Sequence, residues 1–199
     1  MIDKNINSGG CSYNPGCCET AQNNSVDKRS IVIDFLYLDL SVCTPCQGTE
    51  AILDEAIKDV TNILESTGVE AVVNKVNVSN EEQAVSFKFV SSPTIRINGC
   101  DIQLEVKESS CQTCSDLSGE KTDCRIWVYQ GNEYNVPPKA MIIEAILKEV
   151  YGGNNKSEEE REYIIPENLK HFYSAMKEKM ENKQTESSCC SSNSKCSCC

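Results

Sequence analysis

Residues 31–47, IVIDFLYLDLSVCTPCQ, decide the fold because an apolar run leads directly into two closely spaced cysteines. The β-branched and aromatic side chains of residues 31–40 are typical of a strand that is buried on both faces of a sheet. The TPCQ that follows, residues 44–47, matches a helix capping box with proline in the first turn. The pattern therefore predicts that Cys43 and Cys46 lie where a central strand passes into a helix.

The position of this dithiol favours thiol chemistry. At the start of a helix, backbone N–H groups and the helix dipole stabilise a thiolate, the form that attacks disulfides and binds soft metals. We expect Cys43 to be the more exposed sulfur and Cys46 to lie inside the first helical turn, with Asp39 as a carboxylate that can move protons for them. The alternatives are half of a zinc site at the cysteines and an ordinary solvated carboxylate at Asp39.

Apolar periodicity and turn residues predict the remaining elements of the domain. They are a strand over 69–78, a short helix after Asn80, a hairpin over 94–106 around Asn98-Gly99, a second hairpin over 125–136, and a helix from Pro138 to Gly152. Between the hairpins lies a segment with no apolar period, 107–124, which we expect to be a long functional loop.

Composition divides the chain into four parts. They are an N-terminal cysteine-containing arm at 1–29, an α/β domain at 30–152 with the cysteine-rich loop 107–124, a linker and amphipathic helix at 153–185, and a cysteine-rich tail at 186–199. The tail contains no apolar residues besides cysteine, so we expect it to be disordered without a ligand and the arm to be loop-like. Flexible cysteine-rich ends on one compact domain are thus predicted.

The order of strand, CxxC, helix, strand, helix, X-Pro, hairpin and helix resembles the thioredoxin-like superfamily, through Cys43-Thr44-Pro45-Cys46 and Ser92-Pro93-Thr94. The resemblance implies an α/β fold with a thioredoxin-like central mixed sheet flanked by helices. It also implies that the bond before Pro93 is cis and that Pro93 faces the dithiol as a site residue. The blocks SPTIRING and PENLKHFY resemble a little-characterised group of thioredoxin-like proteins with cysteine-rich ends.

The tail is similar to that of the arsenical metallochaperone of arsenic-resistance operons, in which vicinal cysteine pairs end the chain. The pairs here are Cys189-Cys190 and Cys198-Cys199. That metallochaperone carries its metalloid-binding triad at the end of its first strand, where this chain has its CxxC. The resemblance therefore implies soft-ligand chemistry and not the chaperone role.

The other cysteines form three candidate metal sites. Four thiolates around the predicted loop, Cys100, Cys111, Cys114 and Cys124, could close around a zinc ion, with free thiols or a redox disulfide as alternatives. Three thiolates of the arm, Cys11, Cys17 and Cys18, suit a three-coordinate ion such as As(III). The tail adds five soft ligands, Cys189, Cys190, Cys196, Cys198 and Cys199.

Charge and apolar content limit the class of partner. The chain has 30 acidic residues against 19 Lys and Arg, a formal charge of −11 that repels nucleic acid and anionic lipid. Its first residues lack the apolar stretch of a signal peptide, and no apolar run reaches the ~18 residues of a spanning helix. We therefore expect a cytoplasmic protein without membrane insertion. In that reducing compartment, fourteen cysteines favour metal binding or redox chemistry over structural disulfides.

Three functional hypotheses follow. The favoured one is thiolate-based binding and handling of a soft metal or metalloid such as As(III) or Hg(II), in resistance or detoxification. The second is a thiol–disulfide oxidoreductase in which Cys43 attacks and Cys46 resolves. The third is a lyase that cleaves a carbon–metal or carbon–metalloid bond and takes its proton from Asp39. The expected partner is a thiol reductant or another metal-handling protein.

Overall fold

The computed structural model describes residues 29–153 and 162–188. Its elements in chain order are β1 (Arg29–Tyr37), α1 (Thr44–Ser66), β2 (Val69–Asn77), α2 (Glu81–Ser86), β3 (Thr94–Ile97), β4 (Cys100–Asp101), β5 (Lys107–Ser110), α3 (Gln112–Ser118), β6 (Asp123–Tyr129), β7 (Asn132–Tyr134), α4 (Lys139–Tyr151) and α5 (Glu167–Ser188). Within these ranges, no helix combines the length and the apolar character that crossing a bilayer requires.

A mixed sheet of four strands forms the centre of the fold, in the order β2-β1-β3-β4. Strand β1 pairs in parallel with β2 and antiparallel with β3, and β3 pairs antiparallel with β4. A parallel pair needs a crossover between its strands, and α1 supplies it. The predicted α/β class, with a mixed sheet flanked by helices, is confirmed, and the strand order is compatible with a thioredoxin-like fold.

Strand β1 is buried on both faces, as its apolar run predicts. Ile33 and Phe35 belong to a core that includes residues of α1, β3 and α4. Leu36, which points to the opposite face, belongs to a second core with residues of α2 and α5. The start of α1, immediately after this strand, is therefore held by packing on both sides of the sheet.

The prediction that residues 107–124 form a long loop is wrong, because this segment contains β5 and α3. Strand β5 belongs to a second sheet, β5-β6-β7, in which β6 and β7 are the predicted second hairpin. The first hairpin is shorter than predicted, since its second strand is only Cys100–Asp101. The short elements β5 (KESS) and α3 (QTCSDLS) carry few apolar side chains, so no hydrophobic period could reveal them.

Helix α5 connects the second sheet to the second core. Leu169, Phe172 and Tyr173 are buried in the second core. The Asn168 amide accepts a hydrogen bond from the backbone N–H of Asp123 and donates one to its carbonyl, both at 2.9 Å. The amphipathic helix predicted near the C-terminal end is thus present, and it holds the first residue of β6 by its backbone.

A buried ion pair joins the two sheets. The Arg125 side chain is 0% exposed and donates two hydrogen bonds to the Asp101 carboxylate, at 2.9 and 2.8 Å. Its guanidinium carbon also lies 5.2 Å from the centroid of the Trp127 ring. Because Asp101 lies in β4 and Arg125 in β6, this pair connects the second sheet to the edge of the first.

We predict that Asp101→Ala lowers the free energy of unfolding by about 3–5 kcal/mol, because it leaves the Arg125 charge buried without its partner. Urea denaturation followed by circular dichroism measures this change. Asp54→Ala is the matched control, since it removes a carboxylate 3.0 Å from Lys75 in a more exposed pair, for which we expect at most about 1 kcal/mol. Equal effects of the two substitutions would contradict the prediction.

Candidate metal centre

Four cysteine sulfurs from distant parts of the sequence come together beside the start of α1. The Sγ atoms of Cys43, Cys111, Cys114 and Cys124 all lie within 4.8 Å of one another, and all four side chains are buried. We call this group the sulfur quartet. It joins one cysteine of the predicted dithiol to three cysteines of the second sheet and α3.

Cys43 is held by the turn between β1 and α1. It is the N-cap residue of α1, and its carbonyl accepts the Gln47 backbone N–H at 3.0 Å. The predicted capping box is therefore wrong: Thr44 lies inside the helix, and the Gln47 amide donates to the Leu40 carbonyl at 2.8 Å. This bond ties the first turn of α1 back to the end of the strand.

Asp39 has a structural place in the same turn. Its carboxylate accepts hydrogen bonds from the backbone N–H groups of Ser41 and Val42, at 2.7 and 2.9 Å, and from the Ser41 hydroxyl at 2.7 Å. These contacts shape the turn that presents Cys43, and the proton-transfer role proposed for Asp39 stays a prediction.

The other three sulfurs of the quartet are placed by α3 and β6. Cys111 is the N-cap residue of α3, and its N–H donates to the Thr122 carbonyl at 2.9 Å. Cys114 lies three residues further, so its side chain emerges on the same side of the helix. Cys124 lies in β6 opposite Ser109 of β5. The helix start and the neighbouring strand thus direct three sulfurs to one point.

Serine hydroxyl groups donate hydrogen bonds to backbone carbonyls in α3. The Ser115 hydroxyl donates to the Cys111 carbonyl at 2.8 Å, and the Ser118 hydroxyl donates to the Cys114 carbonyl at 3.1 Å. Gly119 ends α3 with a φ of 82°, in the left-handed region that favours glycine. Serine and glycine are therefore needed here to fold a short helix around its cysteines.

Cys46 is a fifth sulfur next to the quartet. Its Sγ lies 2.9 Å from that of Cys43 and 3.4 Å from the Ser92 hydroxyl. The Ser92–Pro93 bond is cis, as the resemblance implied. The expectation that Cys43 is the more exposed cysteine is wrong, since both cysteines are 0% exposed. The reason is that the cysteines of α3 and β6 pack against them.

Cys100 was the expected fourth member of the zinc site, and the structure places Cys43 there instead. Cys100 is half-buried in β4, where it pairs with Ile97 of β3. The predicted set assumed that the two cysteines flanking the long segment meet at its base. Because β5 and α3 fold within that segment, its cysteines reach the start of α1 rather than β4. No local spacing signals this, since Cys43 is far from the others in sequence.

The sulfurs change each other's acidity. Hydrogen bonds from the thiols of Cys111, Cys114, Cys124 and Cys46 hold the pKa of Cys43 well below its usual value. Hydrogen bonds from Cys114 and Cys124 lower the pKa of Cys111 to about 6. Within the quartet, the thiolate form is therefore favoured at Cys43 and Cys111.

The remaining sulfurs act as hydrogen-bond donors. The pKa of Cys46 is raised, chiefly by its hydrogen bond to Cys43 and by burial. The pKa values of Cys114 and Cys124 are raised first by their hydrogen bonds to Cys111. A cation that binds all four thiolates of the quartet must displace the protons of Cys114 and Cys124, so binding should release protons.

The spacing of the sulfurs suits a metal ion. A tetrahedron with metal–sulfur bonds of ~2.3 Å has edges of roughly 3.8 Å, and the quartet lies within 4.8 Å, with Cys114 and Cys124 at 3.4 Å. The basic residue next to Cys124, Arg125, directs its guanidinium to Asp101. The four buried cysteines could therefore hold a metal ion, whose positive charge would offset part of the negative charge of the thiolates.

The quartet borders a cavity of about 290 Å³. Cys111 and Cys124 line this cavity together with Thr44 and Pro45 of α1 and Val136. Cys111 is 6% exposed, more than the other three members of the quartet. An ion entering from the cavity would meet Cys111 first.

The other predicted ligands are not part of this centre as described. Eight of them lie outside the described residues: Cys11, Cys17, Cys18, Cys189, Cys190, Cys196, Cys198 and Cys199. We call these the outer cysteines. Their roles as ligands stay predictions.

Comparison with known proteins places the chain in a family. The model of a family described as "Domain of unknown function (DUF2703)" matches residues 31–146, which is more than half of the chain. The chain belongs to this family. The matched range contains the whole sulfur quartet and Cys46. The curated proteins and the solved structures gave no match.

We predict that iodoacetamide alkylates Cys111 of the reduced, metal-free protein with a pH midpoint near 6, because neighbouring thiols lower its pKa to about 6. Mass spectrometry of the alkylated peptide measures the rate at each pH. Cys114→Ala removes the main donor and should move the midpoint to higher pH, whereas the control Cys100→Ala should leave it unchanged. A midpoint in the usual thiol range in the unsubstituted protein would contradict the assignment.

Proposed function

We propose that this chain, as a member of the DUF2703 family, binds a soft metal or metalloid ion through the sulfur quartet. The observation that carries the proposal is the convergence of four buried sulfurs within 4.8 Å from two separate parts of the fold. Burying several thiolates together is unfavourable unless their negative charge is compensated. Coordination of a cation provides that compensation, so the quartet is better explained as a ligand set than as packing.

The donor set selects a class of ion. Four thiolates favour soft or borderline ions such as Zn²⁺, Cd²⁺, Hg²⁺ and Cu⁺, and disfavour Mg²⁺ and Ca²⁺, which bind oxygen. As(III) takes three thiolates and would leave one member of the quartet uncoordinated. A closed set of four sulfurs is also the arrangement of structural zinc sites. The quartet is therefore a centre for thiolate-binding ions, with zinc as the first ion to test.

We further propose that the centre serves metal handling or detoxification. The outer cysteines supply soft ligands beyond those of the quartet, and the cavity beside Cys111 and Cys124 provides a way into the centre. A protein that only needs a structural zinc has no use for further cysteines at both ends. The cysteine-rich ends would capture the ion, and the quartet would hold it away from solvent.

A thiol–disulfide oxidoreductase is the second candidate. It is favoured by the 2.9 Å separation of the Cys43 and Cys46 sulfurs and by the cis bond before Pro93, in a sheet order compatible with the thioredoxin-like resemblance. Burial of Cys43 and its place in the quartet favour metal binding instead. Catalysed reduction of insulin that continues with metal bound, and is lost in Cys43→Ser, would support the oxidoreductase.

We predict that replacing any single member of the quartet by serine weakens Zn²⁺ binding roughly a hundredfold or more, since four ligands share a binding free energy of about 10–16 kcal/mol in structural zinc sites. The variants are made in full-length chains whose outer cysteines are serine. Competition with a chromogenic chelator measures affinity. Co²⁺ substitution adds a spectroscopic test, because tetrahedral thiolate coordination gives intense visible bands.

Cys100→Ser is the matched control, because Cys100 lies in β4 outside the quartet. It should retain wild-type Zn²⁺ affinity and the wild-type Co²⁺ spectrum. The same loss in Cys100→Ser as in the quartet variants would contradict the assignment of ligands. Failure of the reduced protein to bind any soft ion would overturn the proposed function itself.

The tail generates a separate prediction. Deleting residues 186–199 removes five cysteines and should reduce the number of As(III) or Hg²⁺ ions bound per chain, while the tightest Zn²⁺ site persists in the quartet. Equilibrium dialysis with elemental analysis measures both quantities. An unchanged stoichiometry would show that the tail contributes no ligands.

A further inference from the structure

Cys43 has two alternative sets of sulfur partners. In one direction it completes the quartet with Cys111, Cys114 and Cys124. In the other, its Sγ lies 2.9 Å from Cys46, a fifth cysteine outside the quartet. A sulfur in a disulfide is no longer an anionic thiolate ligand, so Cys43 cannot serve both sets at once.

We infer that metal binding at the quartet and disulfide formation between Cys43 and Cys46 are mutually exclusive. Oxidation of the pair releases the ion, and the bound ion keeps the pair reduced. The inference rests on the proposed function and adds a redox activity coupled to the occupancy of the same site. It makes Cys46 the residue through which an oxidant controls the metal.

The position of Cys46 suits this role. It lies in the first turn of α1, and its sulfur lies 3.4 Å from the Ser92 hydroxyl, which helps to hold it near Cys43. A disulfide requires an S–S distance of about 2.05 Å, so the two sulfurs have to approach by less than ~1 Å. Within the quartet, the sulfurs of Cys114 and Cys124 are further apart, at 3.4 Å.

The reaction is a thiol–disulfide exchange with a small disulfide as oxidant. The Cys43 thiolate leaves the metal and the Cys46 thiol loses its proton, while the sulfur–sulfur bond of the oxidant breaks and a bond forms between Cys43 and Cys46. Two electrons pass from the protein to the oxidant, which leaves as one thiol and one thiolate. The three ligands that remain hold the ion roughly a hundredfold or more weakly, so it departs when free Zn²⁺ is below their dissociation constant.

Burial of both sulfurs limits the access of the oxidant, and limited access changes the rate of this exchange but not its equilibrium. Cys43 and Cys46 are each 0% exposed, whereas Cys111 and Cys124 line the cavity. A small disulfide that enters through the cavity must therefore pass the quartet. Equilibrium measurements are independent of this route, and they provide the sharper test.

The experiment uses the full-length protein in glutathione redox buffers at a series of free Zn²⁺ concentrations. Alkylation and mass spectrometry quantify the Cys43–Cys46 disulfide directly, so ions bound by the outer cysteines do not interfere. Competition predicts that, between the dissociation constant of the four-ligand site and the weaker one of the three ligands that remain after oxidation, each tenfold increase in free Zn²⁺ disfavours the disulfide tenfold. This corresponds to a rise in midpoint potential of about 30 mV.

Cys46→Ser provides the matched variant, since it removes the exchange partner and retains the four thiols of the quartet. Its release of Zn²⁺ should require at least tenfold more oxidised glutathione than the unsubstituted protein or Cys100→Ser. Its Zn²⁺ affinity is measured separately under reducing conditions. This second measurement shows whether the substitution has disturbed the quartet.

Two results would overturn the inference while leaving the proposed function intact. One is tight Zn²⁺ binding with a midpoint potential that does not depend on Zn²⁺. The other is Zn²⁺ release accompanied by a disulfide between Cys114 and Cys124. Absence of Zn²⁺ binding in the reduced, unsubstituted protein would instead overturn the proposed function, and the inference with it.

Discussion

The sulfur centre depends on the contacts of one buried residue, Ser92, which connects the first sheet and α1 to the second sheet. Its hydroxyl accepts the backbone N–H of Leu38 at 3.1 Å and lies 3.4 Å from the Cys46 sulfur. Its carbonyl accepts the backbone N–H of Arg125 at 2.7 Å. The segment before β3 therefore connects the end of β1, the first turn of α1 and strand β6. Since Cys124 precedes Arg125, the hydrogen bond between Arg125 and Ser92 brings the Cys124 sulfur toward Cys43.

Burying these sulfurs together has an electrostatic effect that burying aliphatic side chains does not have, because thiols can ionise. Hydrogen bonds from protonated neighbours lower the pKa of Cys43 and Cys111, and the same hydrogen bonds raise the pKa of Cys124, so a mixture of thiols and thiolates is favoured in the metal-free quartet. A cation replaces those shared protons and allows all four sulfurs to be ionised. The same geometry is thus compatible with two states, the protonated one and the proposed metal-bound one, which is what reversible binding requires.

Much of the fold could be predicted from the sequence, because the patterns that identify strands, helices and turns involve residues close together in the chain. The run 31–40 identifies a central strand, and Asn98-Gly99 identifies the turn of a hairpin, since both patterns depend on neighbouring residues. The centre was predicted only in part. The spacing of Cys111 and Cys114 indicates a ligand pair, but the choice between Cys43 and Cys100 depends on tertiary packing. Strand β5 and helix α3 have too few apolar residues to predict that packing.

The second sheet changes the chemistry that a CxxC at a helix start can perform. With Cys43 exposed, the pair would be free to attack disulfides in other proteins. Here the cysteines of α3 and β6 cover Cys43, and both sulfurs of the pair are fully buried. A large protein substrate cannot reach them without opening this contact, whereas an ion or a small thiol reagent needs only the cavity beside Cys111. The cover therefore makes Cys43 better suited to the proposed role of a ligand than to attack on protein disulfides, and places Cys46 where it can form the proposed disulfide with it.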